Sequence, residues 1–211
     1  LLIVFVLSLN IVAISSITAQ SVISLTCECN KYSLCYSTDA KKYKITNFVV
    51  KNCENLSFND VEELQMSWLS QGIGLNLTDF KNLKALKISH SDLSKNFKVP
   101  GSQMKVLKIS SNKIKQIPNF PGSSKIEKLF MDKNEISIVK NLKNLKKLKL
   151  LNLESNGIYY IKVDAFSANL ALATLNLNHN ELTSLEPSIF HKNMNLIELS
   201  LNWNNLKFLH D

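Results

Sequence analysis

The 211-residue chain contains no arginine, so all 25 of its basic residues are lysine. Arginine is the side chain that forks onto phosphate groups and guanine edges, and its absence argues against specific nucleic-acid recognition despite a formal net charge of +8. Glycine and proline are scarce, with five and four residues respectively. The chain therefore has little room for low-complexity linkers, and its composition does not indicate disorder.

Signals for catalysis are missing as well. The histidines are scattered, and none has a cysteine or carboxylate placed to form a nucleophile or a metal site: His90, His179, His191 and His210. The sequence has no glycine-rich phosphate loop and no catalytic signature. We therefore expect a protein that is not an enzyme and that uses neither a metal nor another cofactor.

The N-terminus is the most apolar part of the chain. Residues 1–14 are apolar with single polar breaks, and residues 15–19 supply small side chains suited to cleavage after Ala19. The unbroken apolar stretch is too short for a comfortable membrane span, so residues 1–19 predict a signal peptide rather than an anchor. Because neither Met nor a basic segment precedes Leu1, we expect this peptide to be truncated at its start.

Cysteine is confined to one short segment behind this predicted signal: Cys27, Cys29, Cys35 and Cys53. An even number of clustered cysteines in an exported chain predicts two disulfide bonds. A zinc site is the alternative, but the spacings lack paired C-x2-C motifs and no histidine lies nearby. Two glycosylation motifs, at Asn55 and Asn76, also fit an exported protein.

A periodic aliphatic pattern organises the rest of the chain. The pattern is L-x-x-L-x-L-x-x-N-x-L, where L is any aliphatic residue, and a weak opening copy spans residues 45–56. Six further copies begin at Leu83, Met104, Ile126, Leu148, Leu172 and Leu196. Their starts are separated by 21, 22, 22, 24 and 24 residues, and such regular spacing identifies a stacked repeat.

The chemistry of the pattern predicts its structure. The L-x-L alternation is typical of a short strand whose apolar side chains face inward. The asparagine that follows can bond to the adjacent coil, which predicts a buried ladder: Asn112, Asn134, Asn156, Asn180 and Asn204. No coil can bury its apolar face alone. We therefore predict an α/β solenoid with a parallel concave sheet and irregular convex arms.

The arms differ in length and character. Phe166 and Phe190 occupy equivalent positions in two 24-residue copies, and we expect both to lie in the core. Between Leu56 and Leu83 the spacing lengthens, and residues 61–69 have a helical pattern. We expect that segment to pack as an irregular first coil.

Residues 83–211 resemble the extracellular leucine-rich-repeat family of animals, and the 24-residue copies are similar to those of Toll-like receptors. The cysteine spacing resembles the family's N-terminal cap, without its usual leading Cys-Pro. The resemblance implies a horseshoe, with a cap and opening coil at 20–56 bridged Cys27–Cys35 and Cys29–Cys53, and repeats at 57–211. Because no C-terminal cap covers the last coil, we expect more protein after Asp211.

A solenoid of this kind binds partners on its concave sheet, through the outward residues between the leucines. Five lysines share one region of that face: Lys84, Lys87, Lys105, Lys108 and Lys128. They would attract an acidic protein surface or a sulfated or phosphorylated glycan, although solvated surface lysines are the more common case. Phe130 and Trp203 also point outward, either as partner anchors or packed against lysine stems.

Two functions from different classes fit this pattern. The first is a secreted or cell-surface recognition protein of innate immunity or receptor signalling, which holds a protein or glycan ligand. The second is a structural or adhesive protein of the extracellular matrix or of cell contacts. We expect no nucleic-acid partner, and membrane attachment only through a region beyond Asp211.

Overall fold

The computed structural model describes residues 2–4, 63–67, 82–91, 93, 97, 99 and 103–207. These residues form ten short strands, β1 to β10, over Leu2–Val4, Glu63–Ser67, Ala85–Ser89, Val106–Lys108, Lys128–Phe130, Ile138–Val139, Leu150–Asn152, Tyr160–Ile161, Thr174–Asn176 and Glu198–Ser200. The return arms are built of turns, and no helix occurs in the described ranges. The predicted α/β class is therefore wrong for this part of the chain, which is a β-solenoid. The arms contain no helix because they are short enough to be closed by turns.

Eight strands form one parallel sheet in the order β1-β2-β3-β4-β5-β7-β9-β10. The central leucine of each copy faces the same residue of the next, from Leu86 through Leu107, Leu129, Leu151 and Leu175 to Leu199. Each copy thus adds one strand to the same edge, and the predicted parallel sheet is confirmed. On the arms, β6 and β8 form a separate two-stranded parallel sheet.

The segment before Leu83 corrects one prediction. Residues Glu63–Ser67 form strand β2 rather than a helix, and Leu64 pairs with Leu86 while Met66 pairs with Ile88. The signal is visible in retrospect, because Val61-x-x-Leu64-x-Met66 repeats the first half of the pattern 22 residues before Leu83. Pairing with β3 gives the backbone N–H and C=O groups of this segment hydrogen-bond partners. The pairing therefore favours a strand over the helix that the local pattern alone suggests.

Several predictions concern residues outside the described ranges. They include the cap over 20–56, the four cysteines, the glycosylation motifs at Asn55 and Asn76, and nearly all of the signal peptide. Within that peptide only Leu2–Val4 is described, as β1 beside β2. The cap, the cleavage and the disulfides therefore stay predictions.

The core runs through the middle of the solenoid behind the sheet. Leu86, Leu107, Leu129, Leu151 and Leu175 are each at most 1% exposed. On the arm side, Phe166 is fully buried and its ring stacks on that of Phe190 with 5.5 Å between centroids. Phe166 is therefore core as predicted, while Phe190 is only half-buried at the edge of this cluster.

The predicted asparagine ladder is confirmed. The Asn180 side chain accepts a hydrogen bond from the Ile158 N–H (3.0 Å) and donates to the carbonyls of Leu153 (3.1 Å) and Leu177 (3.0 Å). Equivalent bonds are made by Asn112, Asn134, Asn156 and Asn204. Each ladder residue thus ties its own turn to the preceding coil through two or more backbone groups.

A second row of buried asparagines lies on the arm side, and sequence reasoning missed it. Asn169 donates to the carbonyls of Leu142 (3.0 Å) and Leu145 (2.9 Å), and Asn193 donates to those of Phe166 (3.1 Å) and Asn169 (2.9 Å). Both stand three residues before the start of a 24-residue copy. That shared position is the signal that could have revealed them.

Candidate binding face

The outward sheet face is the surface formed by the strand side chains that point away from the leucine core. The five predicted lysines are all exposed: Lys87, Lys108 and Lys128 are strand residues of this face, and Lys84 and Lys105 directly precede β3 and β4. Pairing of β3 with β4 places Lys87 beside Lys108, and pairing of β4 with β5 places Lys108 beside Phe130. Three adjoining strands therefore carry a basic region, which is the arrangement predicted from the repeat register.

Phe130 is a half-buried member of this region. The Lys108 ammonium lies over its ring, 4.8 Å from the centroid. The electrostatic attraction between a cation and the negative ring face stabilises such a pair. Of the two interpretations offered by the sequence, packing against a neighbouring lysine is therefore the one seen for Phe130.

An ion pair borders the basic region. The Lys149 ammonium lies 2.8 Å from a carboxylate oxygen of Glu127, one coil away. The hydrogen bond from Lys149 and its positive charge, followed by the charges of Lys105 and Lys147, lower the pKa of Glu127. Because its pKa is lowered, Glu127 is protonated only at a lower pH than an isolated glutamate, and its negative charge balances the positive charge of Lys149.

Amide and carboxylate side chains replace lysine on the later strands. Asn176 donates to a carboxylate oxygen of Glu154 (3.0 Å), and its own oxygen accepts from the Asn178 N–H (2.9 Å). Asn178 in turn accepts from the Asn202 N–H (2.7 Å). The bonds from Asn176 to Glu154 and from Asn202 to Asn178 join neighbouring coils, and the bond between Asn178 and Asn176 lies within one coil. Together they hold the polar side chains in fixed positions on the outward sheet face.

A row of left-handed residues lines the carboxyl end of the sheet. The residue before each ladder position has φ between 52° and 59°: His90, Ser111, Lys133, Ser155, His179 and Trp203. Such a conformation is uncommon for residues with a side chain. It recurs because the chain must turn sharply after each strand to bring the ladder asparagine inward. Sequence reasoning missed this row, since none of its members is glycine.

Trp203 is the most prominent aromatic side chain of this row. It is 76% exposed, and its ring lies nearly parallel to that of His179, at 6° with 5.5 Å between centroids. Its neighbour in the stack is thus an imidazole rather than a lysine stem. A broad aromatic surface is left open to solvent beside the outward sheet face.

Two other features are absent from the part of the chain that the structure describes. Within the described ranges, no three histidine, cysteine, aspartate or glutamate residues are grouped so that they could hold a metal ion. The same ranges contain no helix that is long and apolar enough to cross a membrane.

Comparison with known proteins agrees with this architecture. Residues 171–193 match the family model described as Leucine Rich Repeat. Among solved structures, an internalin from Listeria monocytogenes is similar, with 23% sequence identity and a TM-score of 0.50. The match covers 71% of this chain but only 44% of that internalin chain, and it bears on the fold alone. A search of curated protein sequences gives no match. The chain is therefore a solenoid of parallel β-strands, one segment of which matches the Leucine Rich Repeat model.

Proposed function

We propose that this solenoid binds a protein partner on its outward sheet face and catalyses no reaction of its own. Repeat solenoids commonly use such extended surfaces for protein binding. The observation that carries the proposal is the basic region: five exposed lysines on or directly before three adjoining strands, above a buried leucine core. A rigid support keeps these charges at fixed spacing, so they act together on an approaching partner.

The charge of this region favours an acidic partner. Successive strands lie about 4.8 Å apart, so the backbones of Lys87 and Lys108 are closer together than the screening length of about 8 Å at physiological salt. Their potentials therefore add, which speeds the encounter with a negative surface. We propose an acidic protein surface as the ligand, with a sulfated glycan as the alternative that the same charges would accept.

Reversal of two lysines tests this proposal. Lys87→Glu combined with Lys108→Glu should slow association with an immobilised oligoglutamate peptide by about tenfold or more, because the summed charge of the five positions falls from +5 to +1. The effect should shrink as salt is raised. Surface plasmon resonance measures the association rate, and a sulfated oligosaccharide in place of the peptide tests the alternative ligand.

Lys143→Glu combined with Lys146→Glu is the matched control. Both lysines are exposed on the arm between β6 and β7, so this variant has the same net charge as the first. It should keep most of the wild-type association rate. Equal slowing in both variants would mean that the lysines act only through total charge, and the proposed site would be rejected.

The compartment and biological role are proposed from the sequence. The predicted signal peptide, clustered cysteines and glycosylation motifs support a secreted or cell-surface protein. The resemblance to Toll-like receptor repeats supports a role in innate immunity or receptor signalling. An adhesive protein of the extracellular matrix or of cell contacts is the alternative, because the same outward sheet face would serve it.

The cysteines provide a direct test of the extracellular proposal. Mass spectrometry of the unreduced protein, expressed through a secretory pathway, should show Cys27, Cys29, Cys35 and Cys53 in two disulfide bonds. Alkylation before reduction should label none of them. Labelled thiols at these positions would contradict the disulfide-bearing cap.

A further inference from the structure

Charge is unevenly distributed along the outward sheet face. The coils of β3 to β5 carry five lysines beside the carboxylates of Glu127 and Asp132, whereas the face of the β7, β9 and β10 coils carries the carboxylates of Glu154 and Glu198 beside Lys149. The lysine at the start of β7, Lys149, is engaged with Glu127. The three ion pairs found within the described ranges involve neither Glu154 nor Glu198. The face therefore has a positive end and a weakly negative end.

The exposed indole of Trp203 stands at the negative end. Its exposure of 76% leaves ring surface open beside the stacked His179. Trp is the aromatic side chain that attracts a cation most strongly, through the negative potential over its ring. The same sheet already holds one such pair, in which the Lys108 ammonium lies 4.8 Å from the Phe130 centroid. A cation therefore suits Trp203 better than an anion does.

We propose that the partner is itself bipolar. Its acidic segment lies over the lysines of β3 to β5, and a lysine or arginine of the same partner lies over the Trp203 ring. Glu154 and Glu198 supply the negative potential around that second contact. This inference rests on the proposed use of the outward sheet face. It also fixes the orientation of the partner, because the acidic segment must lie over β3 to β5 and the basic residue over Trp203.

The sheet sets the distance between the two contacts. Lys108 is on β4 and Trp203 follows β10, and these strands are four steps apart in the sheet. At about 4.8 Å a step, the separation along the sheet is about 19 Å. An extended peptide advances about 3.3 Å per residue, so about six residues of a partner span it.

Two synthetic peptides test the inference. In the block peptide, glutamates and arginines stand at opposite ends of a Gly/Ser linker of about six residues. The scrambled peptide has the same composition with the charges alternating. Fluorescence anisotropy of labelled peptide should show tighter binding of the block peptide to the wild-type chain. Trp203→Ala should weaken that binding roughly 2- to 30-fold, whereas its effect on an oligoglutamate peptide should be negligible.

Tyr159→Ala is the matched control for loss of an exposed aromatic ring. Tyr159 is 54% exposed and lies on the arm, next to β8. It should leave block-peptide binding unchanged, and circular dichroism should show both variants folded as the wild type. Unchanged block-peptide affinity in Trp203→Ala would overturn the bipolar inference, as would equal affinity for the two peptides. Unchanged binding of every peptide in the Lys87→Glu, Lys108→Glu variant would instead reject the proposed function.

Discussion

Phe166→Ala should lower the free energy of unfolding by about 3–5 kcal/mol, which is the largest single-residue effect that we expect in this chain. The Phe166 side chain is 0% exposed and stacks on Phe190 at the base of the arm. Its removal leaves a cavity between two coils, since neighbouring side chains relax only partly into the space. Urea denaturation followed by circular dichroism measures the loss.

Phe190→Ala and Tyr159→Ala provide a graded comparison. Phe190 touches the same cluster but is half-buried, and Tyr159 is exposed. The loss of stability should therefore fall in the order Phe166, Phe190, Tyr159, because buried apolar area decreases in that order. A loss of less than about 1 kcal/mol for Phe166→Ala would show that this position is not part of the core.

Asn180→Ala should destabilise the solenoid by about 1–3 kcal/mol through a different mechanism. Its side chain is 6% exposed and bonds the Ile158 N–H and the carbonyls of Leu153 and Leu177. Alanine leaves the Ile158 N–H buried without its partner, whereas the carbonyls of Leu153 and Leu177 each keep one bond, from Asn156 and Asn204. The penalty for an unsatisfied buried group exceeds the value of the bond itself. Thermal unfolding and urea unfolding should rank the variants in the same order of stability.

Asn180→Asp distinguishes the loss of hydrogen bonds from the loss of side-chain volume as the cause of destabilisation. It keeps the size of the side chain and the acceptor for Ile158, but an ionised aspartate cannot donate to the two carbonyls. It should therefore also destabilise the fold. Asn119→Ala is the surface control, since Asn119 is exposed, and should change stability by less than about 0.5 kcal/mol. Equal losses for Asn180→Ala and Asn119→Ala would contradict the ladder.

Asn152 faces outward, yet it is not a suitable neutral control for these substitutions. Its side-chain oxygen accepts a hydrogen bond from the Glu154 N–H at 3.0 Å. This bond bridges the turn that follows β7, so its loss would remove a hydrogen bond that holds the backbone of that turn. The contact joins residues two apart in the chain and follows a common asparagine turn geometry, which the repeat register alone does not reveal.

Local periodicity explains why much of the fold was predictable. In each copy the L-x-L alternation determines which side of a strand is apolar, and a constant spacing requires the strands to stack in register. Leu151 and Asn156 could thus be assigned to the core and the ladder before any coordinates. The same register placed Lys87 and Lys108 on one exposed face.

Local periodicity in the sequence could not predict the contacts between coils. Residues 61–69 carry a helical pattern and a strand pattern at once in the sequence, and pairing with β3 makes Glu63–Ser67 a strand. The stacking of Trp203 on His179 joins residues 24 positions apart, and so does the Asn193 bond to the Asn169 carbonyl. These contacts depend on how closely two turns approach, which no single coil specifies.

The amino-acid sequence by itself therefore determined the repeat, the direction of each strand side chain, the ladder positions and the basic region. These follow from period and spacing, because burial of apolar side chains leaves one register available. The tertiary structure alone decided that the described arms are turns without helix, that Lys108 covers Phe130, and that Trp203 stays open beside His179. The reason is physical: such features arise from the fit between neighbouring coils, where turn geometry and side-chain packing outweigh the preferences of each segment.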